Sequence, residues 1–119
     1  MPPERTIAKN ELAYAIRDGF PVTPLHMLVI PRRHVSDYFS LTKDELLACH
    51  ELIQRVRELV QSQDTTVAGF NIGVNIGAVA GQTILHCHFH LIPRRNGDVD
   101  NPRGGIRNVI PGKGDYIAM

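Results

Sequence analysis

The sequence predicts an α+β fold in which a mainly antiparallel sheet packs against one long helix. Three observations carry that prediction. A capped segment beginning at Thr42 repeats apolar residues at intervals of three and four over roughly five turns. Several short apolar or alternating runs are bounded by Pro, Gly and Asp-Gly turn signals. No internal repeat, low-complexity tract or linker interrupts them. At 119 residues the chain has the length of one ordinary domain. A single domain is expected over residues 1–119, with residues 96–119 as a Gly/Pro-rich C-terminal segment.

Taken in order, Ile7 is followed by Glu11–Arg17, a short strand candidate closed by the turn signal Asp18-Gly19. Pro21 and Pro24 hold the chain extended into His26–Ile30, a continuous apolar run suited to a strand covered on both faces, and Pro31 ends it. Thr42 and Glu45 fit a capping box, with Leu41 and Leu46 placed as a hydrophobic staple. Leu46, Cys49, Ile53, Val56 and Val60 then draw one apolar stripe along a helix expected to reach Gln61. From Val67 to Ile76 the chain alternates: Phe70, Ile72, Val74 and Ile76 share one face, and Asn71, Gly73 and Asn75 the other. Gly77–Gly81 reads as a loop and Ile84–Pro93 as the next strand, ended by Pro93. Ile106–Ile110 reads as one short strand in an otherwise aperiodic tail.

Thirteen Lys and Arg against twelve Asp and Glu leave a formal charge of +1, so no global field draws the protein to nucleic acid or an anionic membrane. Neither is expected as a partner, and any affinity for phosphate must be local. Cys49 and Cys87 form no C-x-x-C pair and read as reduced, mostly buried thiols of a cytoplasmic protein. The opening residues lack an apolar leader core, and no window approaches a membrane span.

Within Ile84–Pro93, positions 86, 88 and 90 are histidines. On a strand His86, His88 and His90 project together while Cys87, Phe89 and Leu91 face the core, with same-face neighbours about 6.5 to 7 Å apart. Such a row serves one of three ends. It is an incidental solvated face; or it chelates a metal with a third ligand from His26, His34, His50 or a carboxylate; or one neutral imidazole attacks phosphorus while a neighbour positions the phosphate or passes a proton. Spacing alone does not separate the last two. The loop just upstream favours the phosphoryl chemistry. Gly77 and Gly81 let backbone amides approach an anion, Gln82 and Thr83 add side-chain donors, and Asn75 points toward the same region. None of these residues is charged, whereas a divalent metal would want acceptors there.

The run Gly81-Gln82-Thr83-x-x-His86-x-His88-x-His90-Leu-Ile resembles the signature of the histidine triad (HIT) family of nucleotide hydrolases and transferases. Asp18-Gly-Phe-Pro-Val-Thr-Pro-Leu-His26-Met-Leu-Val-Ile-Pro-Arg-Arg-His34 is similar to the family's first block, and together the two cover most of residues 11–95. The resemblance implies a HIT-like α+β fold, with a sheet of about five strands, one long helix and a short second helix. It implies His88 as the nucleophile at the α-phosphate of a purine nucleotide, forming a nucleotidyl-histidine intermediate that water resolves. His88 then needs an acceptor for its other nitrogen, expected to be a backbone carbonyl of its own strand. His90 would contact phosphate and assist proton transfer, and His86 would order the network. Asn75, Gly81, Gln82 and Thr83 would bind the phosphate and leaving group, and Asp18 the ribose, with apolar neighbours forming the base cleft. The resemblance further implies no metal or other cofactor, and a homodimer joined along the long helix and a neighbouring strand.

Some relatives carry an N-terminal zinc-binding C-x-x-C; this sequence has none. His50 reads as a packed or partly exposed helix residue, His26 and His34 as structural residues flanking a strand, and Cys87 as a core residue. Arg94, Arg95, Arg103, Arg107 and Lys113 read as solvated surface, with a second phosphate or nucleoside contact as the alternative. Pro93-Arg-Arg-x-Gly-Asp98 looks more like the dinucleoside polyphosphate hydrolases of the family than its phosphoramidases. A nucleotidyltransferase, and a non-catalytic nucleotide-binding module, are the remaining alternatives.

Overall fold

The computed structural model describes residues 5–116. Residues 1–4 and 117–119, parts of the expected leaderless start and of the C-terminal segment, lie outside the described residues. Five strands form one antiparallel sheet: β1 (Thr6–Lys9), β2 (Ala13–Arg17), β3 (Met27–Pro31), β4 (Val67–Gly73) and β5 (Phe89–Arg95), in the order β1-β2-β3-β5-β4. One long helix, α1 (Lys43–Gln63), covers one face. The short helical segments are 3-10 turns at Tyr38–Ser40, Ala78–Ala80 and Gly105–Val109. The α+β prediction holds.

β1 was not anticipated, because it is a short edge strand with Thr6, Ile7 and Ala8 half-buried, Lys9 exposed and no alternation. The first hairpin is set by Asn10, whose Oδ1 accepts from the amides of Leu12 and Ala13 while its Nδ2 donates to Ala48 O at 2.9 Å. That turn takes Glu11 and Leu12 out of the expected strand and ties it to α1. The capping box is present in both directions: Glu45 N donates to Thr42 Oγ1 at 3.1 Å, and Thr42 N to Glu45 Oε1 at 2.8 Å. The buried stripe is Glu45, Cys49, Leu52, Val56 and Val60, so its axis is rotated from the one expected. Leu46 is 37% exposed and Ile53 only flanks the core. A charged residue can begin the stripe because Arg33 grips both Glu45 oxygens, through Nε at 2.9 Å and a terminal nitrogen at 2.8 Å. That pairing lowers the Glu45 carboxyl to about 2.

The main core lies between α1 and the sheet, where Met27, Val29, Phe89 and Leu91 meet Cys49, Leu52, Val56 and Val60. Ile16, Leu28 and Ile30 form a smaller cluster; strand alternation places them on the opposite face, which carries the site. Both cysteines are free and buried, and burial pushes their thiols up, Cys49 to about 12 and Cys87 to about 11. Among the described residues no helix is long and apolar enough to cross a membrane.

α1 runs two residues past Gln61 and β3 is shifted by one, and the ends of β4 and β5 and the form of the C-terminal segment also differ from the sequence reading. β4 stops at Gly73, not Ile76, because its ladder partner runs out: Gly73 pairs with His90, and β5 begins at Phe89. β5 continues through Pro93 to Arg95. Pro93 O accepts from Thr23 Oγ1 at 2.8 Å, so that residue's backbone edge points away from β4 and its missing N–H costs no ladder bond. Ile106–Ile110 is not a strand; Gly104 and Gly105, at φ 84° and 45°, curl the chain into the 3-10 turn instead.

Candidate active site

Of the histidine row only His90 lies in β5; His86 and His88 precede it. The expected strand starts late because residues 86 and 87 are held to the end of β3 and the segment after it rather than to β4. Cys87 N donates to Val35 O at 2.8 Å, and His86 Nε2 to Pro31 O at 2.9 Å. The side-chain alternation survives: Cys87, Phe89 and Leu91 enter the core, and the His88 and His90 rings lie 5.1 Å apart at 65°. The His86 ring turns instead to His34, 4.9 Å away. What His86 offers His88 is its backbone.

His88 Nδ1 lies 2.8 Å from His86 O. A carbonyl only accepts, so the proton sits on Nδ1 and the lone pair on Nε2 is free, as the sequence argument required of a nucleophile.

His90 is fixed from the other side. Val22 N–H donates to His26 Nδ1 at 3.2 Å, which places the proton of a neutral His26 on Nε2. That nitrogen lies 2.9 Å from His90 Nδ1 and 3.4 Å from Asp18 Oδ2. His90 Nδ1 is thereby the acceptor, and its own proton occupies Nε2. Burial lowers the pKa of His26, His86 and His90, with Asp18 opposing the shift at His26 and His90. Asp18 is tied in: its Oδ1 accepts from Phe20 N at 2.8 Å and its Oδ2 lies 4.0 Å from His90 Nδ1. Asp18, His26 and His90 hold their donor atoms within 4.8 Å of one another. The nitrogen-to-nitrogen contact at its centre is a hydrogen bond of ordinary length, donated by His26 Nε2 to His90 Nδ1.

His26 therefore joins the His90 cluster, whereas the sequence reads it as a structural or polar-edge residue flanking a strand, with a metal ligand as the alternative. The available signal was its position one residue before Met27, which the register sets opposite Leu91, beside His90. His50 is exposed on α1 beside Gln54, and His34 is exposed at the His86 ring.

The upstream loop corrects one donor. Gln82 is 8% exposed, and both hydrogens of its amide are already donated, to Ser36 O at 2.6 Å and Ile84 O at 3.1 Å. Its Oε1 accepts from Gly77 N at 2.9 Å. Gln82 braces the loop rather than offering a free donor. The amides of Ala80, Gly81 and Gln82 also close bonds inside the loop, with Gly77 and Gly81 at φ 88° and 95°. Thr83 is exposed and Asn75 half-buried, and neither side chain has a hydrogen-bond partner among the described residues. Arg94 and Arg95 are consumed by Asp98 and Asp64.

The HIT domain family model matches residues 2–97. A 16.1 kDa HIT-like protein of Mycoplasma pneumoniae is 42% identical over 74% of this chain and 60% of its own length. A Mycobacterium tuberculosis protein named AP-4-A phosphorylase is 33% identical over 79% of this chain and 48% of its own length. The crystal structure of a histidine triad nucleotide-binding protein from Sulfolobus tokodaii matches 78% of this chain and 62% of that one, with a TM-score of 0.73 at 32% identity. The chain thus spans roughly half to two-thirds of the length of these relatives. With the triad, its fold and these matches agreeing, the chain belongs to the HIT family.

Proposed function

We propose that this protein is a nucleotide hydrolase acting at the α-phosphate of a purine dinucleoside polyphosphate through a covalent nucleotidyl-histidine. The observation that carries the reading is the 2.8 Å contact from His88 Nδ1 to the His86 carbonyl, which leaves Nε2 unprotonated and half of the nucleophile's work done before substrate arrives. His88 Nε2 attacks the α-phosphorus; the bond from phosphorus to the leaving-group oxygen breaks, and His90 supplies a proton from Nε2. Water then attacks the same phosphorus, passes a proton back, and releases the nucleoside monophosphate with His88 restored. Thr83 and Asn75 are the free donors for the phosphate oxygens, Gly81 shapes the loop, and Asp18 meets the ribose once its bond to His26 is shared. The step needs no metal.

The relative named AP-4-A phosphorylase supports a dinucleoside polyphosphate as substrate, and brings in phosphate as a second acceptor in place of water. The edge position of β4, with Ile72 51% exposed, supports a homodimer that continues the sheet. Rapid quenching with substrate labelled at the α-phosphate tests the mechanism. Label should be trapped on His88 and be absent in His88→Ala, which keeps nucleotide affinity. Turnover unchanged in His88→Ala, or abolished by chelation alone, rules the reading out. Product analysis with and without inorganic phosphate separates hydrolase from phosphorylase.

A further inference from the structure

A cavity of about 420 Å3 opens beside the histidines, between the loop before β3, the β4–β5 pair and the C-terminal 3-10 turn. Val22, Thr23, Ile92, Val99, Ile106 and Val109 form its walls, so the lining is mainly apolar. The cavity is built onto the site. Ile92 stands one same-face step of about 6.5 to 7 Å from His90. Val22 N–H holds His26 Nδ1 at 3.2 Å, and Thr23 O accepts from His26 N at the same distance. Ile106 Cδ1 comes within 3.7 Å of where a Cβ would stand on Gly73, the register partner of His90.

Charge decides what fits. Arg94 is the cation on the lining, and its guanidinium already meets both oxygens of Asp98 at 2.8 Å and Asn71 Oδ1 at 2.7 Å. With Arg94 neutralised, the cavity offers a phosphate nothing. It offers a flat, neutral heterocycle apolar walls of ordinary ligand-site volume, and Asn71 Nδ2 stands at its edge with no acceptor among the described residues.

We propose that this cavity is the subsite for the second nucleoside, the base carried by the leaving group. The inference rests on the α-phosphate hydrolase reading and gives the C-terminal segment a role in substrate choice. Val109 is 74% exposed and Ile106 57%, so substitutions there leave the core intact.

The test compares kcat/KM for a diadenosine polyphosphate with that for adenosine 5′-phosphoramidate, which lacks a second nucleoside. Val109→Asp, which sets an unpaired carboxylate against the base, should lower the first by about tenfold or more and leave the second within about twofold. Ile106→Ala should move the same ratio in the same direction, by about threefold or more. Equal losses on both substrates, or none on either, overturn the subsite while leaving the hydrolase reading standing. If the unmodified protein turns over neither substrate, that reading fails and the subsite falls with it.

Discussion

Arg33→Met keeps the aliphatic stem but removes the fork that holds Glu45, and its cost can be worked from the contacts. Two charge-assisted hydrogen bonds to the carboxylate are lost, at 2.9 and 2.8 Å, together with an exposed one to Ser40 O at 3.0 Å, leaving a carboxylate only 4% exposed with Thr42 as its remaining partner. Breaking a fully buried pair costs about 3 to 5 kcal/mol. Because the Arg33 side chain is 54% exposed, water reaches the cation side, and about 2 to 3 kcal/mol is expected at pH 7, or roughly 8 to 12 °C in Tm. The pH dependence follows from the depressed carboxyl. Glu45 titrates at about 2 folded against 4.5 ordinarily, so its stabilisation is fully present above 4.5 and is lost as pH falls toward 2. Urea titrations of wild type and variant across that range should show the gap closing on acidification, and Glu45→Gln should make the wild-type acid slope shallower, leaving the part carried by the paired carboxyls of Asp64 and Asp98. A gap below about 0.5 kcal/mol at pH 7, or one that persists unchanged at the acid end, would refute the reasoning.

Three further predictions concern the site and core. His26, His86 and His90 all have lowered pKa values, so the unfolded chain binds more protons, and stability should fall as pH drops below 6.5; fluorescence-monitored unfolding of His26→Asn should show a shallower fall. His26→Asn should also cut kcat by about tenfold or more with little change in KM, as expected of a residue that acts by positioning His90. Leu52→Ala, at a position with no exposure, should cost about 2 to 4 kcal/mol in urea unfolding at pH 7 with the triad geometry unchanged.

Much of this was readable from residues whose signals are local. The Thr42–Glu45 box marks a helix start by chemistry confined to one turn, and the alternation from Cys87 to Leu91 sorts core from site without knowledge of the neighbours. The need of His88 for a carbonyl acceptor follows from what an imidazole must be to attack, and residue 86 met it. Where partners come from distant chain, the sequence was mute. Glu45 reads only as the second half of the capping box until Arg33 is seen beside it, and that contact lets it begin the buried helix stripe. Gln82 looks like a free donor until Ser36 O, 46 residues away, takes its hydrogen. His26 reads as packing until the β3–β5 register brings it to His90. The limits of β4 and β5 failed for the same reason, since a ladder ends where its partner does.

The group that fixes the His88 ring is main chain, and this separates two things that a substitution at position 86 would otherwise confound. No codon change there can delete a carbonyl, so replacing the imidazole of residue 86 loses its bond to Pro31 O but keeps the acceptor itself. What then holds that carbonyl in place is the main-chain bond from Cys87 N to Val35 O. An edit to the peptide link between residues 86 and 87, such as an ester in place of the amide, removes that bond and weakens the acceptor together.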